Sequence, residues 1–462
     1  MAKRKPYDPG KPPVQPVVPV RPPLRVLLLY SVGQFGWSLA SFSVSNLLIY
    51  FYMPPETGLP VFPTYVHQGA VVGVFTLIGL LSAAGRFFDA LIDPLVANWS
   101  DRSTARVGKR RWFLLFGALP FAFSGFLVFY PVAGAESAGN FMWLALCIGV
   151  FYFFFSFYVI PYTALIAELG HRPPDRMLIS TLLSVAWALG FVAGNSAYAW
   201  QGYFESLGRP PVVAFQTGLA LLHGLALVLL LLPAIFLNER RYARQTVSEH
   251  RLVEALVAVW GNRNFRQFLL SDLFYWLALS FIQLGVGFYT TLLLQLDKQY
   301  AFLFSLVSFV VSFLFYAPVN LLARRVGKKQ LVLVAFGAFA LLFGVVAVIQ
   351  IIPLPRLWLL YGLAVAVAFP LAVFGIIPNA LIGDTVEQEE NASGRHLAGM
   401  FFGVRAFVMK VGISVANLIF PSLLLLGKSS ENPAGVRGTA IAAVLFCLAG
   451  WQAFRRFRDQ EA

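Results

Sequence analysis

The stretch "GRFFDALIDPLVANWSDRSTARVGKRRW", residues 85–112, starts inside an apolar segment, carries aspartates at positions 89 and 93, and ends in a burst of positive charge. Its meaning depends on the chain around it. Of the 462 residues, 58% are hydrophobic and only 12% are charged, and the mean hydropathy is +0.73. A soluble globular domain does not have this composition.

Runs of roughly twenty apolar residues, the length that crosses a hydrocarbon core of about 30 Å, recur along the chain near 24–52, 66–99, 112–131, 141–168, 178–200, 211–237, 267–296, 300–323, 331–352, 356–383, 397–427 and 435–457. All are expected to be helices, because lipid offers the backbone no hydrogen-bond partner and the runs are too long for barrel strands. The expected fold class is all-α and integral to the membrane, with twelve transmembrane helices.

Basic residues cluster on every second loop: Lys3, Arg4, Lys5, Lys11, Arg21 and Arg25, then Arg102, Arg106, Lys109, Arg110 and Arg111, then Arg324, Arg325, Lys328 and Lys329, and finally Arg455, Arg456 and Arg458. The alternate loops hold little beyond Arg209, Lys298, Arg356, Lys428 and Arg437. The positive-inside rule therefore predicts a multi-pass protein of the cell membrane with both termini in the cytoplasm. The net charge of +14 follows from this topology and from contact with the anionic head groups of the bilayer, and makes no case for nucleic acid. Residues 1–23 are proline-rich and lack an apolar run, so a disordered cytoplasmic tail is expected, with the first helix as an uncleaved anchor. Cys147 and Cys447 lie inside apolar segments as small core residues and suggest neither a disulfide nor a metal site.

Internal symmetry is sharp in one place. Arg106-Val107-Gly108-Lys109 recurs as Arg325-Val326-Gly327-Lys328, and "FGALPF" at 116–121 is echoed by "FGAFAL" at 336–341. An offset of about half the chain is what a duplicated transporter shows. The expected domains are the tail at 1–23, a six-helix bundle over 24–237, a cytoplasmic linker with an amphipathic surface helix over 238–266, a second six-helix bundle over 267–457, and a short cytoplasmic tail at 458–462.

The aspartates then stand at membrane depth, where each costs about 2.5–3.5 kcal/mol. Four helical residues turn through about 400°, so Asp89 and Asp93 share one face, with Arg86 three residues earlier on it. Two such carboxylates raise each other's proton affinity, while a cation stabilises both as anions. The pair suits a proton or a Na⁺ ion; the alternative is a buried Arg–Asp pair that only fixes helix packing. Pro94 frees the carbonyl of Ala90 as a further oxygen.

The run Arg86-x-x-Asp89-x-x-x-Asp93-Pro94, followed by Asp101-Arg102 and "RVGKRRW", resembles the second helix and following loop of the glycoside–pentoside–hexuronide cation symporters, a branch of the major facilitator superfamily. "IGDTVEQEENASGRHLAGMFFGVRAFVMK" is similar to the acidic end of that family's helix 10 and the start of its helix 11, with Asp384 and Glu387, then Gly394-Arg395, and Lys410 at the helix 11 lysine. "PYTALIAEL" from Pro161 resembles the exit of helix 4, and resembles the related lysophospholipid symporters about as well.

The resemblance implies the major facilitator fold, two six-helix bundles around a central cavity, with alternating access. It also implies that Asp89, Asp93 and Ser156 hold the cation, that Lys410 competes for the carboxylates, and that Asp101, Arg102, Gly108, Asp384 and Arg395 belong to a cytoplasmic gate. Lys410 lies deep within its segment, where an unpaired ammonium is costly.

Departures concern the solute. Ile92 stands where sodium-using relatives tend to place an asparagine, and the sugar-binding acids of helices 1 and 4 fall on Ser38 and Val159, with Thr163 in place of a tryptophan. Substrate candidates are the inward polar and aromatic residues Gln34, Trp37, Ser38, Tyr158, Tyr162, Thr163 and Tyr289, with Ser41, Asn46 and Gln283 beside them. Asp272 reads as an interfacial cap or a gate contact.

No H-E-x-x-H or G-x-S-x-G motif is present, and the five histidines are scattered. An enzyme is not expected, nor a cofactor beyond the coupling cation, H⁺ or Na⁺. The expectation is a monomeric symporter of a small sugar-like solute. An amphiphilic lipid as solute, or passive facilitation, is the alternative.

Overall fold

The structure, a computed structural model, describes residues 20–57, 61–243, 261–393 and 398–457, with only the backbone described for 173, 387–393 and 398–400. The expected linker helix falls largely on 244–260, and the expected tails largely on 1–19 and 458–462, all outside the described residues, as is Arg395.

The long helices are α1 (Leu24–Tyr52), α2 (Leu77–Arg102), α3 (Arg111–Leu127), α4 (Ala138–Leu169), α5 (Pro173–Asn195), α6 (Pro211–Phe236), α7 (Arg263–Phe288), α8 (Gln299–Val326), α9 (Lys328–Val348), α10 (Arg356–Ser393), α11 (Ala398–Leu424) and α12 (Ala434–Arg455). Short helices at Ala197–Ser206 and Glu239–Tyr242 follow α5 and α6. Among the described residues, nine helices are long and apolar enough to cross a membrane, and α3 is apolar but shorter.

Two expectations need correction. The second apolar run, expected as helix from 66, opens instead with a hairpin of β1 (Ala70–Val72) and β2 (Phe75–Thr76). Gly73, at φ +58°, makes its turn, and the Thr76 side chain then caps α2 by accepting from the Gly79 N–H at 3.1 Å. The tenth run, expected to end at 383, continues as helix to Ser393. Its distal turns are polar, and periodic apolarity does not report a helix that leaves the lipid.

Helices α1–α6 and α7–α12 repeat one packing scheme. In the first set α1 packs on α5 and α6, α3 on α4 and α6, and α2 on α4. In the second, α7 packs on α11 and α12, α9 on α10 and α12, and α8 on α10. The two sets meet chiefly along α2 and α11, with lighter contacts of α1 on α7 and of α5 on α8. Gly108 and Gly327, the glycines of the repeated tetrapeptide, both take positive φ, +139° and +90°. Each therefore occupies backbone space that disfavours other residues immediately before α3 or α9.

The ends that carry these two glycines define a basic face. On the opposite face Lys298 donates to both carboxylate oxygens of Glu205 at 2.6 Å. There Lys428 also meets Glu56 at 2.9 Å, and the Ser430 N–H donates to the Glu56 carbonyl at 3.1 Å. These contacts tie the two helix sets together at that face.

Candidate functional site

Helices α2, α4 and α11 converge on one cluster. Lys410 Nζ lies 2.9 Å from Asp89 Oδ2 and 2.5 Å from Asp93 Oδ2. Arg86 Nη1 donates to Asp89 Oδ2 at 3.3 Å. Ser156 Oγ stands between the remaining oxygens, 2.6 Å from Asp89 Oδ1 and 2.9 Å from Asp93 Oδ1. The helical spacing of 86, 89 and 93 sets up the first three side chains, and Gly85 lets α2 approach α4, since a Cβ there would stand 2.5 Å from Ile148. All five residues expected at the cation site are thus brought together, and Asp89 is fully buried.

Phe155 completes the cluster and was not anticipated from sequence. Arg86 and Lys410 lie 5.7 and 5.8 Å from its ring centroid, and Arg86 is 5.3 Å from that of Tyr152. Two cations that share one aromatic ring beside two carboxylates are attracted by both the ring and the acids. The formal charges balance: two carboxylates, one guanidinium and one ammonium.

A cavity of about 320 Å³ lies between the helix sets toward the basic face, lined by Gln34, Ser184 and Trp187 from the first set and by Gln283, Asn379 and Arg405 from the second. Arg405 donates to both oxygens of Asp272 at 2.9 and 3.1 Å and to Asn379 Oδ1 at 2.6 Å. The buried Asp272 is therefore one end of a partly buried fork that joins α7, α10 and α11 rather than a simple cap.

The other substrate candidates separate. Gln34 lines the cavity and donates to Ser38 Oγ at 3.1 Å. Ser38 is fully buried at the α1–α5 crossing, where a Cβ on Gly190 would meet it at 2.3 Å. Tyr162 donates to the Tyr30 carbonyl at 2.5 Å, Tyr30 returns the bond at 2.6 Å, and Tyr158 donates to Leu230 O at 2.9 Å. Both Tyr158 and Tyr162 are fully buried, so their hydroxyls staple α1, α4 and α6 rather than face a solute. Thr163 is exposed and bonded to Ile160 O, away from the cavity. Trp37 packs edge-on against Phe155, and its indole N–H is buried without a partner. Tyr289 lines a second, apolar chamber. Apolarity alone could not separate these outcomes, because helix packing and solute contact favour the same residues.

At the basic face Asp101 pairs within its own helix set, with Arg110 at 2.6 Å and Lys109 at 3.6 Å, and Arg102 is exposed. Asp384 pairs with Lys328 at 2.7 Å. Sequence reading missed two acids here. Glu168 accepts from Arg110 at 2.9 and 3.0 Å. Glu239 accepts the backbone N–H groups of Arg110 and Arg111 at 2.8 to 3.0 Å, filling the N-terminus of α3. A Cβ at Gly108 would stand 2.5 Å from that carboxylate. "NER" directly after an apolar run was the signal for it.

The sequence pattern of the family described as MFS/sugar transport protein matches residues 29–447. The chain is 24% identical to the putative glycoside/cation symporter YagG of Escherichia coli, covering 80% of each chain. It is 22% identical to the sodium-dependent lysophosphatidylcholine symporter 1 of Mus musculus, covering 86% of this chain and 84% of that one. Its fold matches a point mutant of the nucleoside transporter NupG with a TM-score of 0.68 at 12% identity over 94% of this chain and 99% of that one. It matches a D-xylose-proton symporter with 0.63 at 16% over 92% and 97%. A bundle of this architecture, matched over nearly its whole length, leaves one assignment: the chain belongs to the MFS/sugar transport protein family, a family of membrane transporters of the glycoside–pentoside–hexuronide type and not of enzymes.

Proposed function

We propose that the protein is a cation-coupled secondary symporter of a small sugar-like solute, working by alternating access between two six-helix bundles that together span the membrane twelve times. The observation that carries this reading is the ammonium of Lys410, on one bundle, held by Asp89 and Asp93 on the other. A passive pore has no need of it. A cation that joins the carboxylates competes with Lys410, and so weakens the attachment between bundles. That differential affinity for two arrangements is what coupling requires. On this reading the basic face is cytoplasmic, both termini lie there, and Asp101, Arg102, Gly108, Asp384 and Arg395 form the inner gate of a monomeric carrier in the cell membrane.

Two features favour a proton as the coupling ion. Ser156 has one hydroxyl proton but two carboxylate oxygens within 2.9 Å, so a carboxyl that carries a proton of its own satisfies the second contact. Ile92, where sodium-using relatives tend to place an asparagine, offers sodium no oxygen.

Uptake into proteoliposomes under imposed gradients tests the reading. Accumulation of a solute driven by an inward proton gradient, insensitive to sodium and lost in Asp93→Asn, is the expected result. Accumulation that persists in Asp93→Asn would remove the aspartates from coupling, and a sodium requirement would reverse the choice of ion. An amphiphilic solute such as a lysophospholipid is the second reading, favoured by the lack of a carboxylate among the described residues that line the cavity.

A further inference from the structure

On the face opposite the basic one, three turns carry charged residues that clamp the two helix sets. Gly208, at φ +82°, follows the short helix Ala197–Ser206 that holds Glu205, and Gly427, at φ +144°, stands beside Lys428. The third turn, which delivers Lys298, is built differently. Its left-handed residue is Gln295, at φ +54°, and among the described residues it is the one non-glycine with positive φ. Glycine enters this region freely, whereas in other residues the Cβ crowds the following carbonyl.

The surrounding hydrogen bonds hold Gln295 there. After α7 the chain passes into a wide π turn, Tyr289–Leu293. The Leu294 N–H donates to the Tyr289 carbonyl at 2.9 Å, and the chain then doubles back so that the Leu296 N–H reaches the Thr290 carbonyl at 3.0 Å. Gln350 Nε2 fastens the same turn by donating to the Leu292 carbonyl at 3.2 Å. Helices that reverse in this way usually do so on glycine. Three residues after Gln295, Lys298 donates to both oxygens of Glu205 at 2.6 Å, and Glu205 also accepts from Gln201 Nε2 at 3.0 Å. The reversal is thus what presents Lys298 to the other helix set. Burial does not explain the glutamine, because its side chain is exposed and lines an outer cavity of about 630 Å³ with Thr291, Glu205 and Lys298.

We infer that Gln295 is a positioning residue of the outer clamp: its backbone is strained while Lys298 is held on Glu205 and relaxes when the clamp parts, so the strain offsets part of the ion pair. Strained residues persist where the surrounding structure over-determines them, and they gather at clamps and switch regions. An unopposed clamp would hold the carrier in one arrangement, whereas alternation needs two that are close in free energy. Of the readings above, the inference rests on alternating access alone; neither the solute nor the coupling ion enters it.

The test uses the full chain in lipid nanodiscs, with Thr291→Cys, half-buried in the same cavity, as reporter and a charged maleimide as probe. Cys147 and Cys447 are buried, and the parent without the reporter measures their background. Gln295→Gly should slow labelling about fivefold, since glycine adopts the left-handed region without strain. Gln295→Asn should slow it less, and Gln295→Val, β-branched and least tolerant of positive φ, should speed it. Lys298→Ala should speed labelling and erase the differences among the residues at 295. Glycine and asparagine both tolerate this backbone, so the comparison stands whether or not Gln295→Val folds. Equal labelling with Gln, Gly and Asn at 295, while Lys298→Ala still speeds it, reduces Gln295 to a local cap and overturns this inference alone, whatever the unfolding temperatures do. Differences that persist in Lys298→Ala overturn it as well, because the strain then does not act through the clamp. One rate in every protein, Lys298→Ala included, overturns it together with alternating access at this face.

Discussion

Lys410 and Asp93, 317 positions apart in sequence, meet at 2.5 Å between α11 and α2. The contact is an ion pair and a bridge between the two helix sets, and in the mechanism proposed above it is the place where a coupling cation competes. Removing one partner of a buried pair leaves the other uncompensated, at a cost of about 3–5 kcal/mol. Lys410→Ala should therefore lower thermal stability at neutral pH and abolish accumulation. Adding Asp93→Asn should restore much of the stability but none of the coupling. A double variant no more stable than the single one would refute the charge-balance account.

Phe155 offers one ring to Arg86 and Lys410. Each desolvated cation–π contact contributes about 0.5–2 kcal/mol. Phe155→Leu keeps an apolar side chain, though a smaller one, and removes the quadrupole, so the pH midpoint of uptake should move while expression and folding are retained, and Phe155→Trp should keep the midpoint near that of the parent. Equal midpoints in all three proteins would reduce the ring to packing.

Gly108 is held at φ +139°, with Glu239 occupying the space of a Cβ. Strained backbone of this kind costs of order 1–3 kcal/mol. Gly108→Ala should lower the unfolding temperature measurably, whereas Gly134→Ala, where nothing lies within 4 Å, should not. Glu239→Gln tests the same site from the other side, and a smaller loss than with Glu239→Ala is expected, because the amide oxygen still accepts from α3.

Glu205–Lys298 and Glu56–Lys428 clamp the face opposite the basic one. Partly exposed pairs contribute about 0.2–1 kcal/mol each. Replacing Lys298 and Lys428 together by Ala should raise several-fold the labelling rate of a cysteine placed at Gln295, which lines the space beneath the clamp. An unchanged rate would show that the aromatic contacts, such as Tyr50 on Phe288 at 6.4 Å, hold that face alone.

Arg405 and the buried Asp272 form a two-bond fork on the cavity wall. Arg405→Lys keeps the charge but loses the bidentate geometry, so solute affinity and stability should both fall, whereas uptake should remain coupled to the ion gradient. Loss of coupling would place the fork in the cation mechanism instead.

Much of this was legible in sequence because membrane burial imposes local rules. A run long enough to cross lipid must be helical, so the apolar segments anticipated α3 to α9 to within a few residues. The i, i+3 and i, i+4 spacing put Arg86, Asp89 and Asp93 on one face before any fold was known. The repeated R-V-G-K marked two glycines that both prove to need positive φ. Local rules failed where two roles share one composition: Val71 to Phe75 reads as helix but turns at Gly73, and Tyr158 and Tyr162 read as solute contacts but bond to their own bundle.

The sequence by itself determined the helical membrane architecture, its duplication and the acidic face of α2, since each follows from spacing within one segment. Only the tertiary structure decided how closely Lys410 approaches those acids, that Phe155 borders both cations, which tyrosines are stapled inside and where Glu239 goes. These depend on side chains from distant segments meeting in three dimensions, and the distance between such groups is a property of the packed helices rather than of any window of residues.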